Sequence, residues 1–195
     1  MGFFDNLKKT VTDALGSAGN SQGSNTVKEI TFADIPTTLE GMKALPYADL
    51  KDPFAVAAMC VCALCIFPTD QDTSVAMLNF LKGPAPISAY DISFIKDRFR
   101  DNKDYKPRSY FKGATPQNNY MPSSPYTIAV TENPYSRDNF KDGYLVLYLQ
   151  SGGSDSLRPI TLRTKPSTGE WFVFSDTFYG LLADIRIPTA QDPWA

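Results

Sequence analysis

No histidine occurs anywhere in the 195 residues. This absence removes the imidazole base of Ser- and Cys-dependent triads, the commonest nitrogen ligand for metals, and the side chain that titrates between pH 5 and 8. Cysteine is scarce as well: Cys60, Cys62 and Cys65 are the only three, and all lie in one apolar stretch. An odd number of thiols in such a stretch points to reduced, buried cysteines and a cytoplasmic protein. Charge of one sign is lacking too. Nineteen Lys and Arg face 21 Asp and Glu, a net charge of −2, so the surface has no basic excess for phosphate backbones and no nucleic-acid partner is expected. The longest apolar run, 54–67, falls short of the roughly 18 residues that span a bilayer. The chain opens Met1-Gly-Phe-Phe-Asp-Asn-Leu-Lys-Lys, with its aromatic pair ahead of its lysines. A secretory signal has the reverse order, and Asn6 stands where myristoylation requires Ser or Thr.

Apolar residues make up 43% and charged residues 21%, the composition of a chain that folds. Phe3, Phe4, Leu7, Val11 and Leu15 fall near one face of a short amphipathic helix over 1–15. Gly, Ser, Asn and Gln then dominate a linker over 16–26. One compact α+β domain is expected from 27 to 195. Lys28–Phe32 reads as a strand. Asp52 and Pro53 suit the N-cap and first turn of a helix over 54–67 that Pro68 ends. That helix is apolar on every side and must be buried on every side. Further helices are expected from about Thr73 to Lys82, stopped by Gly83-Pro84, and from Ser88, where Ser88 and Asp91 form a capping box. Ile92, Ile95 and Phe99 supply its apolar stripe. Residues 103–125 read as a long loop.

Strands follow over 126–131, 144–150, 160–165 and 171–175, the last two joined by a tight turn at 166–169 where Gly169 is free to take a positive φ. Helices packed on a C-terminal antiparallel sheet, one helix fully buried, is the expected fold class. A cystatin-like or NTF2-like arrangement is one way to assemble the parts, by analogy alone. The many tyrosines between 105 and 148 fit rings filling the helix-facing side of the sheet, or a binding groove.

The stretches 45–58 (LPYADLKDPFAVAA), 77–84 (MLNFLKGP), 111–120 (FKGATPQNNY), 158–163 (RPITLR), 165–171 (KPSTGEW) and 192–195 (DPWA) together resemble an uncharacterised family of bacterial cytosolic proteins, a domain of unknown function, over residues 27–195. The resemblance implies a bacterial source and a single domain. It carries no catalytic residues.

Several short patterns have a chemical and a structural interpretation, and the structural one is stronger in each. Cys60-x-Cys62-x-x-Cys65 lacks a fourth Cys or any His, and on a helix its thiols diverge, so no metal is expected. Gly19-Asn-Ser21-Gln-Gly23 has the letters of a nucleophile elbow but sits in the linker without a His partner. Ser-x-x-Lys occurs twice, at Ser93/Lys96 and Ser109/Lys112, without the companion motifs of the enzymes that use it. Asp70-x-Asp72 begins like a calcium loop but continues with Val75 and Leu81 where Gly and Glu belong.

The leading expectation is a non-enzymatic cytoplasmic binding or assembly protein that needs no cofactor. Its ligand or partner face would be the basic and aromatic loop of Tyr105, Arg108, Tyr110, Phe111 and Tyr120. Phe3, Phe4, Leu7, Lys8 and Lys9 would dock on a protein partner or make weak membrane-surface contact. The alternative is a hydrolase or transferase working with carboxylate, Lys or Tyr groups.

Overall fold

The computed structural model describes residues 25–174 and 177–194, and within them six α-helices and five strands. Strand β1 (Thr26–Phe32) is followed by helices α1 (Leu39–Lys43), α2 (Pro53–Ile66), α3 (Gln71–Lys82), α4 (Ala89–Arg98) and α5 (Tyr105–Arg108). Strands β2 (Tyr126–Glu132), β3 (Tyr144–Leu149), β4 (Arg158–Lys165) and β5 (Glu170–Val173) come next, and helix α6 (Thr177–Leu182) follows them. The strands form one antiparallel sheet in the order β1-β2-β3-β4-β5. The fold is mixed α+β, as the residue pattern implies.

Local chemistry sets the helix starts. The Asp52 carboxylate accepts from the Phe54 N–H, and Pro53 fills the first turn, where a missing donor costs nothing. Asp70 caps α3 by accepting from the Thr73 N–H and hydroxyl, which hold its carboxyl below the usual range. The Asp70-x-Asp72 pattern thus serves as a helix cap, as its residues imply. Ser88 and Asp91 form the expected reciprocal capping box.

Helix α2 has no polar side, and residues 55–64 are all buried. It packs against α3, α5 and strands β1, β2, β4 and β5. The sheet face it covers is mainly aliphatic. Ile30, Ile128, Val130, Leu145, Leu147, Leu149, Ile160, Leu162 and Val173 fill it, with Phe32 the one ring in this set. Strand alternation turns Tyr144 and Tyr148 to the opposite face, where they are half-buried. The expectation of rings filling the helix-facing side is therefore corrected: β-branched and Leu side chains pack that surface.

Two strands outrun their neighbours, and segments outside the sheet complete them. β2 pairs with β3 only at Val130 and Thr131. Its remaining edge is met by Phe111, which bridges Ile128, and by the Lys112 N–H, which donates to the Thr127 carbonyl at 2.8 Å. β4 runs beyond β5, and Thr177 at the start of α6 exchanges hydrogen bonds with the Thr161 backbone through its hydroxyl. The far edge of β5 is partly closed by the Trp171 N–H donating to the Leu50 carbonyl. Residues 103–125 are thus a structural part of the sheet's edge and contain a helix, where the sequence reads as a loop.

Candidate functional site

The rings of the basic and aromatic loop lie inside the protein. Tyr105, Tyr110, Phe111 and Tyr120 are each no more than 2% exposed. The Tyr105 and Tyr120 rings stack, 5.2 Å between centroids and 9° between planes. The Tyr110 hydroxyl donates to the Leu181 carbonyl at 2.6 Å, the Lys106 ammonium to Leu182 at 2.7 Å, and the Tyr120 hydroxyl to Arg186 at 2.7 Å. The last carbonyls of a helix have no partner within it. Side chains some seventy positions away in sequence close off α6 instead.

Burial pushes the Tyr120 phenol up to about 12, and Tyr105 and Tyr110 are raised for the same reason. All three stay protonated, Tyr110 and Tyr120 as hydrogen-bond donors. Ser109 is also consumed: the Ser151 hydroxyl donates to it at 2.8 Å, and it donates to the Lys106 carbonyl. Lys112 pairs with Glu29 at 2.5 Å, so the Ser109/Lys112 pattern joins no reactive pair. Arg108 remains partly exposed, paired with Asp104 at 2.8 Å. The reading of these residues as a stacking surface is corrected. The rings turn inward because β2 and α6 both need covering, and only the Arg108 and Lys112 heads face water. Phe3, Phe4, Leu7, Lys8 and Lys9 lie outside the described residues.

Cys60 and Cys62 are buried in α2 and Cys65 is partly covered. Burial pushes the Cys60 and Cys65 thiols up to about 12 and Cys62 well above its ordinary value. Among the described residues, no group of three or more His, Cys, Asp or Glu side chains is placed to hold a metal. A thiol titrating near 12 rather than 9 holds about a thousand-fold less thiolate at pH 8. Iodoacetamide at pH 8 should therefore leave the native cysteines almost unlabelled over an hour and modify all three in urea, as counted by intact mass. Rapid native labelling of any one would contradict their burial. Stability follows the same sign: it is intact below pH 9 and falls as pH rises toward 12, because the unfolded thiols ionise and the folded ones do not.

A different aromatic group faces solvent. Tyr90, Phe94 and Arg98 recur every four residues along α4 and so share one face. Tyr179 of α6 meets them: its ring lies 6.0 Å from Phe94, and the Arg98 guanidinium sits 4.8 Å from the Phe94 centroid. Tyr90 is 79% and Tyr179 65% exposed. A cleft of about 300 Å³ opens between Tyr90, Asp91, Phe94, Phe178 and Tyr179. The Arg98 Nε is buried with no hydrogen-bond partner among the described residues. Tyr and Arg anchors of this kind carry much of the energy of protein contacts. The i, i+4, i+8 spacing was the sequence signal for this face, overlooked beside the Ile92–Ile95–Phe99 stripe that packs inward.

An antiparallel five-stranded sheet packed on one buried apolar helix defines a mixed α+β protein. The chain belongs to the family described as a domain of unknown function (DUF6935), which matches residues 34–189. No curated protein and no solved structure matches it, so neither supports the cystatin-like or NTF2-like arrangement.

Proposed function

We propose that the chain is a non-enzymatic binding or assembly protein of the bacterial cytoplasm that docks a protein partner on the Tyr90–Phe94–Arg98–Tyr179 face. The observation that carries this reading is that face: two tyrosines largely in water beside a partly exposed arginine stacked on a phenylalanine. A partner covering the rings would set a carbonyl or carboxylate against the outer nitrogens of the Arg98 guanidinium, whose side chain is partly in water. Three unpaired thiols are in keeping with a reducing compartment. The N-terminal segment, with Phe3, Phe4, Leu7, Lys8 and Lys9, would add a tether through a partner or a membrane surface. The enzymatic alternative needs a group free to ionise near neutral pH. The phenols held protonated and the Lys106 amine engaged with Leu182 weigh against that reading.

A photo-crosslinking residue placed at Tyr90 of the full chain in its native cells tests the proposal. A discrete adduct is expected, stronger than one from the equally exposed Tyr135 and lost with Arg98→Glu. Equal labelling from both positions would overturn docking on this face. Flotation with anionic vesicles of the full chain, compared with Phe3→Ser/Phe4→Ser, separates a membrane tether from a protein one.

A further inference from the structure

We infer that the pocket between the end of α3 and the β4–β5 hairpin binds a small organic oxyanion carried on a flat apolar body. The inference stands apart from the partner-docking face, because it uses other residues and a different part of the surface. The pocket holds about 280 Å³. Three cations line it, Lys82, Arg163 and Lys165, while the remaining walls include Pro84, Phe172 and Phe174 and no carboxylate.

Strand register explains how the cations and rings meet. Tyr144, Arg163 and Phe172 lie in one row across β3, β4 and β5, and alternation sends that row to the face opposite the buried Leu145–Leu162–Val173 row. Arg163 thereby sits against an edge-to-face ring pair, Tyr144 and Phe174 (5.1 Å between centroids), with its guanidinium 5.2 Å from the Tyr144 centroid and 6.0 Å from that of Phe174. Lys82 comes from the last turn of α3, only 4% exposed, with its ammonium 5.8 Å over the Phe178 ring. The wall is preformed: Gly83 has φ +57, and the Phe172 ring occupies the space, 2.3 Å away, where a Cβ would stand.

None of the three cations makes an ion pair with another described residue. Glu170 sits opposite Lys165 in register, but its carboxylate accepts from the Thr168 hydroxyl. Cations gathered in a concave, largely apolar site raise its potential and concentrate anions there. Arg163 supplies a planar fork for an oxyanion and Lys165 a point charge, while the Lys82 charge at the end of α3 adds to the potential of the site. The rings and prolines offer flat apolar contact for whatever carries the charge. The volume lies at the low end of the ~300–1,000 Å³ typical of ligand sites, which restricts the occupant to about one ring and its acid group.

Backbone amide NMR of the full chain, titrated with benzoate, phenyl phosphate, inorganic phosphate and benzyl alcohol, tests this. Benzoate or phenyl phosphate should shift amides around 82–85, 163–166 and 172–174 saturably, and which of the two binds tighter separates carboxylate from phosphate. Inorganic phosphate and benzyl alcohol, each missing half of the recognition, should bind on the order of tenfold more weakly. Arg163→Gln and, as the more exposed variant, Lys165→Gln should each weaken benzoate or phenyl phosphate by about tenfold with the rest of the spectrum unchanged. No saturable shift at these amides with either aryl anion, or shifts unaltered by both substitutions, overturns the site. Inorganic phosphate binding as tightly as phenyl phosphate overturns the apolar half of the inference.

Discussion

Leu64→Ala should lower the unfolding free energy by about 2–5 kcal/mol, and Met59→Ala by a similar amount. Both side chains are fully buried in α2. The loss has two sources: apolar surface no longer removed from water, and a cavity that the surroundings cannot close. Closure is difficult here for a specific reason. α2 is gripped by α3 and α5 and by four of the five strands, so moving one neighbour inward opens a gap against another. Domains are stable by only about 5–15 kcal/mol, and either change removes a large part of that. Urea midpoints with unchanged slopes would measure it. Tyr90→Ala is the contrast: 79% exposed, it should shift stability by less than about 0.5 kcal/mol, consistent with a ring kept for contact rather than for the core. A Leu64→Ala cost below about 1 kcal/mol would mean that α2 is not the fold's centre.

The legible parts of this fold are those that local chemistry dictates. Asp52-Pro53, Asp70 and Ser88 with Asp91 are caps whose meaning depends on three or four neighbouring residues, and each holds in the structure. The all-apolar run at 54–67 has one solution, complete burial, whatever surrounds it. The strands announce themselves by alternation and their turns. Loop 103–125 was opaque because its roles are non-local. Phe111 is inside because β3 is too short to cover β2, and Tyr110 is inside because α6 ends with open carbonyls; neither fact is written near position 110. α6 itself, six residues long, gave too little periodicity to be seen. The inward turn of the loop's rings has the same non-local cause. A mixture of Tyr, Lys and Arg marks a binding surface only if the rings face out, and that depends on which distant edge needs closing. The Tyr90–Phe94–Arg98 repeat was legible on its own helix, but its partner Tyr179 arrives from α6. The cations of the β4–β5 pocket converge only through register and the end of α3.

Gly153→Ala should cost about 2–4 kcal/mol, through overpacking together with a displaced hydrogen bond. A Cβ on residue 153 would stand 2.1 Å from the Tyr120 hydroxyl oxygen and 2.8 Å from an Ile185 methyl. That hydroxyl cannot simply retreat, because it donates to the Arg186 carbonyl and its ring is stacked on Tyr105. The Gly153 carbonyl in turn accepts from the Arg186 N–H at 2.9 Å, so residue 186 ties the Tyr120 hydroxyl and the Gly153 backbone together. Tyr120→Phe alone should cost roughly 1 kcal/mol, the net value of one hydrogen bond. In the double variant the phenyl ring leaves room where the hydroxyl stood, so the two costs should not add. A coupling of about 1 kcal/mol or more in the favourable direction is expected from urea denaturation of all four proteins. Strict additivity would show that residues 120 and 153 do not share this contact.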